Sequence, residues 1–586
     1  MDADTPKTGI KARFQDFLER QRLQLSSPNA LSQIAVLGLI SGLATGGVIA
    51  GFRLLIELIQ SQVLQVGFQE DFGALAPHVR AALPASGALL CIIVAYALRQ
   101  RGEPVGVLHV LVRLSYHQGR LPLRPMISQF LGGVAAIASG HSVGREGPGI
   151  HLGAATSSLI GQRLGLPNNS LRTLVACGSA AAIAASFNTP LAGVVFAMEV
   201  VMMEYTLFGF TPVILAAVAA TIVTRFLFGD APTFQVPHLQ FGSLLELPYL
   251  VVFGLVLGII AGIFVHLLQQ TTRRTQKWPV WIRLALAGTV GAGCATVVPE
   301  AMGVSYSSVN QALAGTLAIE LALALLAMKL FASALAVGLG IPGGLIGPLL
   351  VIGASAGLVL GVVGDQLVPT HAAEPGFYTL LGMATMMGAT LQAPLAALIC
   401  ILELTGNPNF LLPGMLTVVT AMLASRRLLR KDSVYLELMR TSGLDYRNDP
   451  ISQSLRRTGV AGAMDKQVEV VSTRLTREEA ETLLKRKPQW LLIQRDKGQP
   501  VALRAADLAR YLAEKESDSE ATTDLIQIPA ARLQAAPINI RANLQEAYEQ
   551  LSAGGNELLY VENQTIPGTL RVYGVLTREH IEKTYR

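Results

Sequence analysis

The sequence predicts an all-α polytopic membrane protein built from two similarly patterned halves, followed by a soluble α/β domain. Three observations predict it. Apolar segments of membrane-spanning length fill residues 31–431; a Gly…Pro…Glu signature occurs twice at one spacing; and after Lys431 the composition turns charged and mixed. Of 586 residues, 51% are hydrophobic and only 15% charged, with a mean hydropathy of +0.45. A soluble chain carries charge at roughly a quarter of its residues. The 56 glycines suit helices whose backbones approach closely in lipid.

Residues 1–30 are polar and charged and lack the basic, apolar and cleavage regions of a signal peptide, so no cleavable leader is expected. The apolar runs Ile34–Ile59, Leu83–Leu98, Pro212–Phe228, Tyr249–Leu268, Ile319–Val337 and Phe410–Leu423 follow. Most approach the roughly 20 residues that cross a bilayer core, and the shortest spans part of it. The basic cluster Arg426–Lys431 marks a cytoplasmic edge. Between these runs lie breaks at Gly144–Pro148, Asn188–Pro190, Gly340–Pro348 and Gln392–Pro394. Irregular backbone at membrane depth is tolerated only where it is buried in protein or lines a cavity, so the breaks are where function is sought.

The repeat is visible by spacing. Gly178, Pro190 and Glu199 are matched by Gly382, Pro394 and Glu403, with twelve residues from Gly to Pro and nine from Pro to Glu in both. This predicts duplicated halves over about 31–230 and 245–425, with a ligand bound where the broken helices meet. Residues 432–586 alternate strand-like runs (Trp490–Gln494, Glu557–Glu562, Thr569–Leu576) with helical ones (Arg477–Lys487, Leu544–Leu551), enough for one compact domain.

Several function classes are excluded. The net charge of +6 comes without a dense basic tract, which speaks against nucleic acid. Cys91, Cys177, Cys294 and Cys400 lie scattered in apolar runs and read as buried small hydrophobes, not as metal ligands or disulfides. No metal cluster, nucleophile–base pair or phosphate loop is visible in the membrane part, so an enzyme is not expected.

The break Gly144-Arg145-Glu146-Gly147-Pro148 places Pro148 in the first turn of a helix, where its missing N–H costs nothing. The free N–H groups of such a terminus form an anion site. A carboxylate at that site competes with the anion, so Glu146 reads as a gate. The alternative is a helix cap with Arg145 paired to Glu146. Gly340–Pro348 again sets glycines before a helix-opening proline. Two facing helix N-termini can replace an anion's hydration without the tight grip of a fixed cation; the alternative is a Gly-rich packing loop.

With these motifs, Phe187–Gly193 and Asp432–Tyr435, the membrane part resembles the CLC family of chloride channels and chloride/proton antiporters. The resemblance implies an inverted-repeat helical fold, a homodimer with one pore per subunit, a plasma-membrane location and cytoplasmic termini. It implies Glu146 as the external gate, and anion contacts from Arg145, Gly147, Leu345 and Ile346, with the Tyr435 hydroxyl on the inner side. The family's Gly-Ser-Gly-Ile-Pro motif falls on Pro104-Val105-Gly106-Val107-Leu108, so Val105 stands for the anion-binding serine beside Gly106. A lost donor weakens anion binding by about 1.5–3 kcal/mol. The internal proton glutamate of family exchangers falls on Val200, leaving Glu204, one helical turn on, as the nearest candidate or as an ordinary helix-end carboxylate. Glu199 and Glu403 read either as functional intramembrane carboxylates or as structural links between the halves. The expectation is therefore a Glu146-gated, pH-sensitive chloride channel needing no cofactor, with chloride/proton antiport as the alternative. The tail resembles a CBS pair over 459–515 and 526–586, with a packing role or an adenine nucleotide held at Asp507; the second module carries His580 in the corresponding place.

Overall fold

The computed structural model describes residues 24–26, 30–64, 66, 72–100, 106–230, 234, 236–237, 239, 241–367, 373–444, 450–495, 498–514, 522–563 and 571–585. Val105, the expected stand-in for the serine, lies outside the described residues. The chain divides into a helical unit (35–160 and 172–446) and a second unit (1–34, 161–171 and 447–586). The helical unit thus extends past Lys431 to take in the short helix that carries Tyr435.

The helical unit runs α1 (Leu31–Leu58), α2 (Pro77–Ala97), α3 (Gly106–Tyr116), α4 (Leu123–Ala138), α5 (Glu146–Leu164), α6 (Asn168–Phe187), α7 (Pro190–Phe196) and α8 (Leu207–Phe228) in its first half. The second half runs α9 (Leu247–Thr275), α10 (Val280–Val297), α11 (Tyr306–Leu313), α12 (Ile319–Leu339), α13 (Ile346–Leu367), α14 (Pro375–Leu391), α15 (Pro394–Thr405), α16 (Leu411–Leu428) and α17 (Val434–Thr441). Among the described residues, nine helices are long and apolar enough to cross a membrane. Others, such as α3, α7 and α15, are apolar but shorter. Prolines Pro77, Pro190, Pro375 and Pro394 sit in the first turn of their helices, where the missing N–H is harmless. α14 is apolar on every side and buried from Gly376 to Leu391, which makes it a core helix.

Each residue of the repeat has a structural reason. A Cβ on Gly178 would overlap the carbonyl of Gly153, and one on Gly382 would overlap that of Gly353, so α5 crosses α6 and α13 crosses α14 at backbone contact. The prolines open α7 and α15. The glutamates then cap across the repeat. Glu199 accepts from the N–H groups of Leu395 and Ala396 at 3.3 and 2.7 Å, and Glu403 accepts from those of Leu191 and Ala192 at 3.0 and 2.7 Å. Each carboxylate meets the positive end of the other half's helix, so both are structural links. Beyond α7 the chain takes a π-helical turn, Ala197–Met202, and stops at Met203 in the left-handed region (φ 54°). Glu204 is therefore past the helix end, not one turn further along the helix from Val200, and its N–H donates to Met198 O at 3.0 Å.

The second unit holds a six-stranded sheet of order β1-β3-β4-β6-β7-β8, formed by β1 (Val468–Ser472), β3 (Trp490–Gln494), β4 (Val501–Arg504), β6 (Leu533–Asn539), β7 (Leu558–Glu562) and β8 (Val572–Thr577). A small ribbon pairs β2 (Arg474–Leu475) with β5 (Thr523–Asp524). β1 with β3 and β6 with β7 are parallel, whereas β3 with β4 and β7 with β8 are antiparallel. The tail is thus itself a duplicated βαββα unit. Its helices are α18 (Pro450–Arg457), α19 (Val460–Ala463), α20 (Arg477–Lys485), α21 (Ala505–Glu514), α22 (Leu544–Ala553) and α23 (Arg578–Tyr585). α20 and α22 start in capping boxes, Thr476 with Glu479 and Asn543 with Glu546. The Thr476 N–H holds the Glu479 carboxyl below the usual carboxylate range. Trp490, Leu492, Ala535 and Tyr560 fill the space between the two repeats.

Candidate anion pathway

The two glycine breaks meet face to face. Gly144 N–H donates to Gly344 O at 2.8 Å and Gly344 N–H to Gly144 O at 2.6 Å, a one-rung antiparallel bridge between the halves. The glycines are required by this approach: a Cβ on Gly147 would lie 2.5 Å from Gly343 O, and one on Gly344 would strike the Gly147 amide. The bridge sets the N-termini of α5 and α13 side by side. Each brings the partial positive charge of a helix N-terminus, and together they make a positive neck.

Glu146, the first residue of α5, turns its side chain across the bridge. It is 2% exposed, and its Oε1 accepts the Gly347 N–H at 3.0 Å. A Cβ on Gly144 or Gly344 would overlap the carboxylate, so glycines also form its cradle. The Glu146 carboxyl thus occupies the N-terminus of α13. Leu345 and Ile346, which head α13, are 2% exposed. Arg145 does not pair with Glu146; its guanidinium lies over the Phe187 ring, 5.5 Å from the centroid.

Below the neck lies a chamber of about 550 Å³, lined by Gly106, Ser128, Gly147, Leu345 and Tyr435 among others. Tyr435, in the first turn of α17, is buried and borders the chamber. Gly106 opens α3 at φ +63° and abuts Gly147, with a Cβ falling 3.6 Å from the Gly147 carbonyl. Its N–H, however, donates to Gln129 Oε1 at 3.2 Å, so that amide is already engaged. Sequence reasoning missed Gln129, because nothing in the spacing of α4 says which of its residues reaches α3. It missed a second feature too. His109 of α3 and His151 of α5 are buried, with Nδ1 and Nε2 2.6 Å apart and rings stacked at 4.9 Å, tying the helices that flank the neck. Val200 is 2% exposed in the apolar core, where it carries no proton.

In the second unit, Asp507 is half-buried in the first turn of α21. His580 Nδ1 lies 2.9 Å from Thr577 Oγ1 at the start of α23, which is a local cap. Among the described residues no group of three or more His, Cys, Asp or Glu side chains that could hold a metal occurs.

Residues 86–426 match the family model described as voltage gated chloride channel. The chain is 33% identical over 355 residues to a Ralstonia nicotianae protein described as ClcB-like, covering 59% of this chain and 82% of that one. It is 30% identical over 325 residues to the H(+)/Cl(-) exchange transporter ClcA of Vibrio cholerae, covering 53% and 68%. Among solved structures, a slow cyanobacterial Cl-/H+ antiporter shares the fold with a TM-score of 0.62 at 21% identity, over 70% of this chain and 97% of that one.

Proposed function

Because the chain belongs to the voltage gated chloride channel family, we propose that it moves chloride across the membrane through the chamber and past Glu146. One observation carries this reading: the Glu146 carboxylate sits on the Gly347 N–H in a glycine cradle at paired helix N-termini. A chloride ion takes the same donors, so anion and carboxylate exclude one another. Passage then requires the side chain to leave, and protonation of the carboxylate weakens its hold.

We read the movement as passive conduction, with Glu146 as the gate and acid as the opener. The burial of Val200 in an apolar core supports it, because no titratable group stands at that position. Chloride/proton exchange is the second reading, favoured by the exchange activity named for the Vibrio cholerae relative. It needs a proton route that bypasses position 200, through Glu204 or water. The family resemblance also supports a homodimer in the plasma membrane with both termini in the cytoplasm.

Chloride efflux from proteoliposomes, recorded together with pH, tests the proposal. Expected is chloride release that depends on Glu146 without uphill proton movement. Absence of chloride flux from wild-type protein overturns the proposal as a whole. Proton uptake against its gradient, driven by chloride, replaces conduction by exchange.

A further inference from the structure

A second, smaller cavity lies between the segment that leads into the gate and the end of α10. It measures about 10 Å³, room for one small ion, and His141, Cys294 and Met302 all line it. Each comes from a different element. His141 lies in the segment between α4 and α5, Cys294 in the last turn of α10, and Met302 just past the 3-10 turn Pro299–Ala301. Packing holds them there. Gly303 N–H donates to Gly140 O at 3.0 Å, which sets the Met302 methyl against Gly140, the chain neighbour of His141. Gly291, one turn before Cys294, faces the Nδ1–Cε1 edge of the His141 ring: a Cβ there would lie 3.4 and 3.6 Å from those atoms.

His141 is prepared as a ligand. Its ring is 1% exposed and bonds the Pro84 carbonyl, whereas its Nε2 is buried and meets no hydrogen-bond partner among the described residues. An imidazole anchored on a carbonyl through one nitrogen, with the other free, has the form that metal-bound histidines take. A water in this place would need two or more polar partners. The nearby oxygens are engaged: Ser142 Oγ with Ser333 Oγ at 2.9 Å, Gly140 O by Gly303 N–H, and Ala301 O by Lys329 Nζ at 3.1 Å. What remains is one imidazole nitrogen, one thiol and one thioether, a soft donor set that suits Cu(I).

We propose that His141 Nε2, Cys294 Sγ and Met302 Sδ bind one soft monovalent cation, Cu(I). The ion displaces the thiol proton, which passes to water, and the resulting Cu(I)–thiolate unit is neutral. It therefore adds no net charge beside the Lys329 ammonium, as a divalent ion would, and Zn²⁺ draws on thiolate, imidazole and carboxylate rather than thioether. Cys294, which the sequence marks as a small hydrophobe, gains a chemical role from its two neighbours. The site also touches the gate. His141 stands five residues before Glu146. Two residues after Met302, Val304 shares the surroundings of Gly347 with the Glu146 carboxylate, their nearest atoms 2.8 and 3.1 Å from where a Gly347 Cβ would be. A bound ion ties both segments to α10, so occupancy should slow chloride flux, a consequence that rests on the chloride-transport reading.

The test uses full-length protein in detergent without oxygen, with Cu(I) supplied as its coloured bicinchoninate complex and loss of that colour as the readout. Wild type is expected to take one Cu(I) that Cys294→Ser does not take. Met302→Leu, which preserves volume and all four cysteines, and His141→Gln should each hold it about tenfold or more weakly, since even outer-shell changes cost about 10–100-fold. X-ray absorption of the loaded protein should show one nitrogen and two sulfur neighbours. Wild-type affinity in Met302→Leu, or a shell of thiolate sulfur alone, reduces the site to a lone reactive thiol and overturns the proposal, as does absence of the Cys294-dependent equivalent. Should His141→Gln fail to assemble, Met302→Leu and the absorption spectrum decide. In proteoliposomes at fixed chloride, Cu(I) should slow wild-type flux and leave Cys294→Ser unaffected. Binding through all three residues without that slowing overturns the link to the gate. A wild type that binds Cu(I) yet passes no chloride overturns the transport reading and leaves the metal site standing.

Discussion

Replacing Glu146 by Gln keeps the shape of the plug and removes its charge. The carboxylate is buried, accepts one backbone N–H at 3.0 Å and sits at the N-terminus of α13. A hydrogen bond to a charged group contributes about 1.5–3 kcal/mol, against about 0.5–1.5 kcal/mol for a neutral one. The favourable end of a helix dipole adds about 0.3–1 kcal/mol for the ionised form alone. Neutralisation therefore removes roughly 1.3–2.5 kcal/mol from the closed state. At about 1.4 kcal/mol per factor of ten, the ratio of closed to open shifts by roughly 8- to 60-fold. In proteoliposomes the variant should pass chloride faster than wild type at neutral pH. Wild type should speed up on acidification as Glu146 takes a proton, whereas Glu146→Gln should be flat across the same range. A correctly assembled Glu146→Gln protein with the wild-type rate and the wild-type acid response would refute the gate.

The neck itself should be intolerant of a single methyl group. Gly147→Ala, which forces a Cβ to 2.5 Å from the Gly343 carbonyl, should abolish flux and lower the unfolding temperature, while Gly51→Ala, with open space around it, should be neutral or slightly stabilising in the same scan. Glu403→Ala strips two N–H groups of their acceptor at the start of α7 and should cost about 2–3 kcal/mol, read as a lower melting temperature, with Glu199→Ala behaving alike at α15. Tyr435→Phe removes one hydroxyl donor at the inner end and should weaken chloride binding by about 0.5–1.5 kcal/mol, a roughly 2- to 13-fold rise in the half-maximal concentration; unchanged affinity would remove Tyr435 from the pathway.

The sequence by itself determined the membrane class, the duplication and the chemistry of the breaks. Those follow from local rules: apolar length, proline in a first turn, and glycine where no side chain fits. It also singled out Glu146, as a gate or as a helix cap, and the family resemblance favoured the gate. What it left open was partnership. Glu199 and Glu403 read either as functional intramembrane carboxylates or as links until the structure set each one on the helix start of the opposite half. Arg145 adjoins Glu146 in the chain, yet its guanidinium turns to Phe187, because neighbours in a helix's first turn point in different directions. Glu204 counted as one turn from Val200 only while the helix was assumed to continue, and the π-turn ending at Met203 removed it from that face. Gln129 and the His109–His151 pair carried no signal at all, for they matter only where α3, α4 and α5 converge. Spacing along a chain fixes which groups share a face of one element. Which faces meet is decided by the packing of the whole bundle, and in this protein that packing turns two glycine breaks into one neck.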